Sequence, residues 1–551
     1  MKQSPGAPRG RQKGRFGYLR LDSGGLRPRV AAFDPQYIGS IPVVPTHTHR
    51  SNLIQARTRP EGLFSLLPFC VAVLKRKLAV GFAESAPLKT SLCAEDPACL
   101  SPRVAWLDRV KTSGLACVAL TLAGALGVGC GGGVPPRGVV LVVIDTLRAD
   151  APDLAMSEFQ RLAEESIYFP RTVAHAPWTL PTTASILTGV YPPQHGAGGN
   201  WAGDFSAISP HVPTLAERLR GHGFRTHAVA NGAFVSPEFG LERGFEGYDF
   251  EPGANAQIRR ALLTMRRGIG WLKTVGDAES FFLYLHLFDP HLNYAPIPEV
   301  RGRFTSSYRG SLKSPYSDIT GGRDEPLTEE DREFVRGLYL EEVGAADAAL
   351  GVLVDWLRAA GLLDETVLVV TADHGEEFWE HGRFEHGHSF YEELIRVPLL
   401  IRPPGGRRGG EARPMTPAQQ VDVVPTVLHA LGMQIPVDLD GQILISGGSA
   451  NVPSDPRPAP SFNLLYAGTR QGQAVQMGEW KLVQWLDGFP ELYNLTDDPR
   501  ESINLAGADP ERVTRLGGEL ERLSRADLGG GVSVELDSEH KARLRALGYL
   551  D

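Results

Sequence analysis

The sequence predicts an α/β protein built on a mixed, mostly parallel sheet between helices, with a small antiparallel α+β subdomain at the C-terminal end. Two continuous β-branched runs, "GVVLVVIDT" (138–146) and "ETVLVVTADHG" (365–375), suit strands buried on both faces of a parallel sheet. From residue 137 onward such runs alternate with helical segments, which is the pattern of βα repeats rather than of a sandwich or a bundle. Beyond residue 461 the pattern changes to "AVQMGEWKLVQWLDGFPELYNL", which reads as antiparallel strands. With 551 residues, 42% of them hydrophobic, the chain has ample material for a large core.

The elements follow in order. "SEFQRLAEES" (157–166) and "PTLAERLRGHG" (213–223) have helical periodicity, and the second stops at a glycine. "FRTHAVA" (224–230) and "SFFLYLHLF" (280–288) are strands. A long amphipathic helix is expected over 329–360, with Phe334, Leu338, Val343, Leu350, Val354 and Leu357 along its buried stripe. "VPLLIRPP" (397–404) is a further strand. The polar stretch 301–326 is long for a connection and suits a substrate-side flap. These boundaries give a catalytic domain at 137–448, a Pro/Ser/Gly linker at 449–461 and a subdomain at 462–551 that includes two charged helical segments. No internal repeat is evident.

The net charge of −8 is unevenly spread: residues 1–110 hold 17 Lys+Arg against 7 Asp+Glu, leaving −18 on the rest. An acidic body argues against nucleic acid as a partner. All five cysteines (Cys70, Cys93, Cys99, Cys117, Cys130) precede residue 131, so the body has no disulfide and no thiolate chemistry. Behind Arg109 and Lys111, "TSGLACVALTLAGALGVGC" (112–130) has the size of an export signal and is short for a membrane span. Residues 110–136 are therefore expected to be a signal segment and linker. Small residues before Cys130 resemble a lipoprotein cleavage box, with Gly127 where that box favours Leu. The expectation is an exported periplasmic or cell-envelope protein, with membrane attachment through a lipidated Cys130 as one form. Residues 1–109 read either as an over-extended reading frame ahead of a start near Val104 or Val110, or as a disordered extension.

Ligands in α/β sheets collect at the carboxyl ends of the strands, where Asp145 and the pair Asp373–His374 fall. Two carboxylates and an imidazole suit a divalent metal ion. Taken singly, an Asp at a strand end equally serves as a turn or cap residue.

"VVLVVIDTLRAD", "APWTLPTTASILTGVYPPQHG", "FFLYLHLFDPHLNY", "VTADHGEEFWEHGRFEHGHSFYEELIRVPLLIR" and "VDVVPTVLHALG", in this order, resemble the sulfatase family of the alkaline phosphatase superfamily. "WKLVQW…ELYNLTDDPRESINLA" and "RLRALGYL" resemble the C-terminal region of bacterial sulfatase-like proteins, so the likeness spans about residues 137–551. It implies an alkaline-phosphatase-like fold, with Asp145, Asp373 and His374 as metal ligands and Thr179 reaching the same ion. It further implies that Asn200 lies against the substrate oxygens, that His291 stands near the ester, and that His386 occupies about the place of the family's lysine. His388 is not separable from His386 by sequence. His175, His195, His286 and His381 read as packing or hydrogen-bonding residues, and Asp289 as a weaker candidate for a second metal site.

The departures from the family pattern define the chemistry. Sulfatases convert a Cys or Ser in C/S-x-P-S-R to formylglycine, whereas this chain has Thr179-Leu180-Pro181-Thr182-Thr183, with Thr183 in place of the arginine. A secondary alcohol oxidises to a ketone, so no formylglycine is expected. Thr146 replaces the second acidic ligand, and Asn231 and Ala233 stand where the family grips sulfate with Lys and His, which leaves Asn231 as a substrate-side residue. A threonine can instead attack directly, helped by a divalent ion and by the positive potential of a helix N-terminus. One divalent ion is expected, with Mn²⁺ or Zn²⁺ fitting an imidazole-containing set better than Ca²⁺. The reading is a metal-dependent hydrolase of sulfuric or phosphoric esters, leaning to phosphoesters, with a glycan or lipid ester as substrate. An envelope phosphotransferase and a non-catalytic binding protein, in which Thr179 only caps a helix, are the alternatives.

Overall fold

The computed structural model describes residues 136–551 except 200–203, 253–258, 313–325, 453–454, 464–470, 526–530 and 547–551. The expected extension, the signal segment with Cys130, the substrate-side Asn200 and most of the 301–326 loop lie outside the described residues. Among the described residues no helix is long and apolar enough to cross a membrane.

The main sheet has seven strands: β1 (Gly138–Ile144), β2 (Ile167–Val173), β3 (Arg225–Asn231), β4 (Gly247–Glu251), β5 (Phe281–Leu287), β6 (Thr366–Ala372) and β7 (Arg396–Arg402). Their spatial order is β2-β7-β6-β1-β5-β3-β4. The five strands from β6 to β4 run parallel. β7 is antiparallel to both β6 and β2, which makes the sheet mixed. All seven residues of β1, β5 and β6 are buried, as their continuous apolar runs require.

Helices cover both faces. On one face Val140, Val142, Ile144, Leu283, Leu285 and Leu287 pack against α2 (Ala261–Leu272) and α3 (Glu329–Ala359). On the other, Val139, Leu141, Val143 and Tyr284 meet Leu180, Ala184 and Leu187 of α1 (Thr179–Thr188). The long helix α3 begins at a capping box, in which the Thr328 hydroxyl accepts from the Asp331 amide and the Asp331 carboxylate accepts from the Thr328 amide. It ends ahead of Gly361, whose φ of 72° suits glycine. Five of the six residues expected on its stripe are buried. Phe334 is half-buried and stacks on Tyr308, 3.9 Å away, both packed against the edge of the main core.

The C-terminal sheet comprises β8 (Ala459–Asn463), β9 (Gly472–Met477), β10 (Trp480–Trp485) and β11 (Glu491–Asn494), all antiparallel. Val475, Leu482 and Leu492 pack on Leu516 and Leu520 of α4 (Pro510–Ser524). β8 starts inside the stretch read as linker. Pro460 is tolerated there because β8 is an edge strand, and the Ser461 hydroxyl and Phe462 amide donate to the carbonyls of Ala174 and His175. A short strand, Val532–Val534, returns to pair with Phe205–Ala207, a pairing the sequence pattern does not signal.

Candidate active site

The register of the sheet assembles the site. Ile144 of β1 lies opposite Leu287 of β5 and Ala372 of β6, so Asp145, Phe288 and Asp373 leave the sheet side by side at its carboxyl edge. Asp145, Asp373 and His374 are buried, and one ligand atom from each falls within 4.8 Å of the others. His374 Nε2 is 3.7 Å from Asp145 Oδ1, 3.5 Å from Asp373 Oδ2 and 3.3 Å from Thr179 Oγ1.

The hydrogen bonds show that this group fits a cation. His374 Nδ1 lies 2.9 Å from the Gly375 carbonyl, which can only accept, so the proton is on Nδ1 and Nε2 offers a lone pair. That lone pair faces two carboxylates. Asp373 Oδ1 accepts from the amides of Thr146 and His374, whereas Asp373 Oδ2 and Asp145 Oδ1 have no partner although both are buried. Unpaired acceptors converging on one point in a buried site are costly unless a positive ion joins them. Burial and the charges of Asp373 and Glu376 push the Asp145 carboxyl up. Burial opposes ionisation of Asp373 as well, but the neighbouring His374 and His286 rings and the amides of His374 and Thr146 together hold that carboxyl below its usual range. Burial keeps His374 neutral, the form that ligates metal. Asp145, Asp373 and His374, with the Thr179 hydroxyl beside them, are the residues that would hold a divalent ion.

Thr179 is the first residue of α1, and Trp178 occupies the cap position with extended backbone. The Thr179 side chain therefore turns to His374 instead of capping the helix, and the N-terminal potential of a ten-residue helix falls on its oxygen.

Three imidazoles stand together. His386 is 4.5 Å from His374 and 5.1 Å from His291, centroid to centroid. His291 stacks on Phe288 at 4.5 Å and donates Nδ1–H to the Leu292 carbonyl. Burial pushes His291 down to about 3 and His386 down to about 4. The structure also separates His386 from His388, whose Nε2 pairs with Glu377 at 2.7 Å. Sequence reasoning missed Glu376. This fully buried carboxylate bridges the Tyr294 hydroxyl and His386 Nδ1, each at 2.9 Å, and no sequence pattern distinguishes it from the adjacent Glu377 or the exposed Glu380.

Asn231 is placed differently from its sequence reading. Its amide nitrogen bonds the Thr264 hydroxyl and the His286 carbonyl, so its donors hold α2 and β5 together. The unpartnered atom is Oδ1, an acceptor, which cannot bond the acceptor oxygens of an anionic ester. Asp289 accepts from Arg260 and from the Ala261 amide and does not join the metal group, which is the one such cluster among the described residues. His175, His195 and His381 are hydrogen-bonded structural residues. His286 is buried with both ring nitrogens unpartnered.

A buried Asp–Asp–His group that could hold a metal ion, with an alcohol beside it, thus lies at the carboxyl edge of the mixed sheet. The chain belongs to the sulfatase family: the Sulfatase family model matches residues 137–433, and a model for the N-sulphoglucosamine sulphohydrolase C-terminal region matches 379–525. Members of the family are sulfuric ester hydrolases. Arylsulfatase K of Xenopus laevis is 26% identical over 450 residues, 70% of this chain and 82% of the relative. Arylsulfatase K of Danio rerio is 34% identical over 372 residues, 56% of this chain and 70% of the relative. Among solved structures, the phosphonate monoester hydrolase of Agrobacterium radiobacter superimposes with a TM-score of 0.58 at 20% identity, over 71% of this chain and 95% of that one. A protein in complex with its substrate D-glucosamine-2-N,6-O-disulfate gives 0.56 at 19% identity, over 71% and 98%. These two likenesses establish the mixed-sheet fold.

Proposed function

We propose that the protein is a metal-dependent esterase in which Thr179 attacks directly, and that it acts on phosphoric esters in preference to sulfuric esters. The observation that carries this reading is the Thr179 oxygen itself, which occupies the head of α1 beside His374 and cannot be converted to an aldehyde. A bound divalent ion would favour the ionised hydroxyl and balance charge on the ester oxygens. Thr179 Oγ1 forms a bond to phosphorus while the bond from phosphorus to the leaving alcohol breaks. The imidazoles of His291 and His386, held neutral by burial, flank the cluster as bases that take up the Thr179 hydroxyl proton, and the departing oxygen draws its proton from water. Glu376 fixes the orientation of the His386 ring through Nδ1. Water then cleaves the phosphothreonine. Near neighbours include both a phosphonate monoester hydrolase and arylsulfatases, so both ester classes belong in the test. Purified protein should cleave aryl phosphodiesters or phosphomonoesters faster than aryl sulfates, with a chelated control silent. A sulfatase rate well above both phosphatase rates would overturn the proposal.

A further inference from the structure

At the head of α1 lies a pocket of about 230 Å³ whose wall is assembled from distant parts of the chain. Trp178 and Pro181 bracket Thr179 in sequence, Pro192, Pro193 and Ala197 follow α1, and Phe462 comes from β8 of the C-terminal sheet. Glycine backbone completes the wall, and no lining side chain can carry a charge. Trp178 belongs to the core of the main domain and Phe462 to that of the C-terminal sheet, so the pocket is a seam between two separately packed clusters. The seam is fixed next to the reactive residue, because the Phe462 amide donates to the His175 carbonyl, four residues before Thr179. An apolar cavity of about 150 Å³ takes a benzene ring. This one has room for a ring with a short substituent.

We infer that this pocket holds the non-leaving organic group of a phosphodiester or phosphonate ester, and thereby sets the substrate class. The inference rests on the reading of Thr179 as nucleophile. In displacement at phosphorus the attacking and leaving oxygens lie roughly in line. The new bond joins Thr179 Oγ1 to phosphorus, the bond to the leaving oxygen breaks with its electron pair, and that oxygen takes a proton on the side away from Oγ1. A pocket built from the residues on either side of Thr179 is on the nucleophile's flank, so its occupant is neither the nucleophile nor the leaving group. It receives a third substituent carried by the reacting atom. A sulfate monoester has none, since its three other oxygens bear no carbon. Phosphodiesters and phosphonate esters have one.

The test uses two diesters with the same p-nitrophenolate leaving group and either a methyl or a phenyl non-leaving group. The phenyl diester should show a KM lower by at least about tenfold, the scale of discrimination an apolar pocket supplies. Phe462→Ala, which removes one wall, and Ala197→Leu, which fills the space, should each bring the ratio to within about twofold. Either variant suffices if the other fails to fold. Binding of both diesters to Thr179→Ala protein, followed by calorimetry, should show the same preference without turnover. Absence of that preference in binding, or its survival in both pocket variants, overturns the pocket assignment whatever Thr179 does. A binding preference combined with undiminished turnover in Thr179→Ala would instead remove the nucleophile and leave the pocket standing.

Discussion

Two buried histidines far from solvent make the fold sensitive to acid in a way that can be counted. His175 donates Nδ1–H to the Pro460 carbonyl at 2.7 Å, and its Nε2 faces the Val421 amide at 3.5 Å. His195 accepts the Ala197 amide at Nδ1 and bonds the Ser185 hydroxyl through Nε2, each at 3.1 Å. Both rings are fully buried, and burial pushes both down to about 3. The unfolded chain titrates them near 6.5. Between those limits the unfolded state binds more protons, so the stabilisation is complete above pH 6.5 and is lost as pH falls toward 3. Each ring contributes a slope of about 1.4 kcal/mol per pH unit, and the pair roughly 2.7. His175→Asn keeps an N–H directed at the Pro460 carbonyl but takes up no proton. Urea unfolding of chelated wild type and variant between pH 7 and pH 5 should give a stability loss smaller by about 2 kcal/mol over that interval in the variant. Equal slopes would refute the assignment of His175 as a neutral buried ring.

Asp373→Ala should lower metal content, read by elemental analysis of the purified protein, and turnover together; full metal occupancy would count against Asp373 as a ligand. Gly375→Ala should also lose metal with every ligand intact, because a Cβ at Gly375 meets the Glu393 carbonyl oxygen at 2.0 Å and must displace the neighbouring His374. Normal metal content there would show that the His374 turn tolerates the shift. Lys481→Met should lower stability by about 3–5 kcal/mol in urea titration, since Lys481 Nζ sits buried 2.7 Å from Glu501 and 3.1 Å from Glu392 and its removal leaves their charges uncompensated. Adding Glu501→Gln should restore part of the loss, and an unchanged midpoint in the single variant would contradict it.

Much of the fold was legible because apolar runs and helix stops are local signals. β1 and β6 fall inside the runs read as buried strands, β5 inside a run read as a strand, and α3 spans 329–359 against an expected 329–360. The antiparallel insertion of β7 between β6 and β2 was not legible, because a buried run carries no direction. Asp145, Asp373 and His374 stood out as polar residues ending apolar strands, and the register explains why they meet. The partners of Asn231 were not legible because an amide's partners come from other elements, here α2 and β5. Glu376 stayed hidden for the same reason: its burial depends on Tyr294 and His386, 82 and 10 residues away.

In the proposed reaction Thr179 forms a covalent bond to the substrate's reacting atom. That step is tested most directly by acid quench during steady turnover of a phosphodiester, followed by mass analysis of the peptide containing Thr179, with Thr179→Ala and Thr179→Ser alongside. Phosphate is expected on Thr179 in wild type. Turnover in Thr179→Ala should fall by orders of magnitude with metal content nearly unchanged, whereas Thr179→Ser retains a substantial fraction, since it loses only the methyl group that restricts the rotamer. Near-normal turnover in Thr179→Ala, with no phosphate on the peptide, would contradict it.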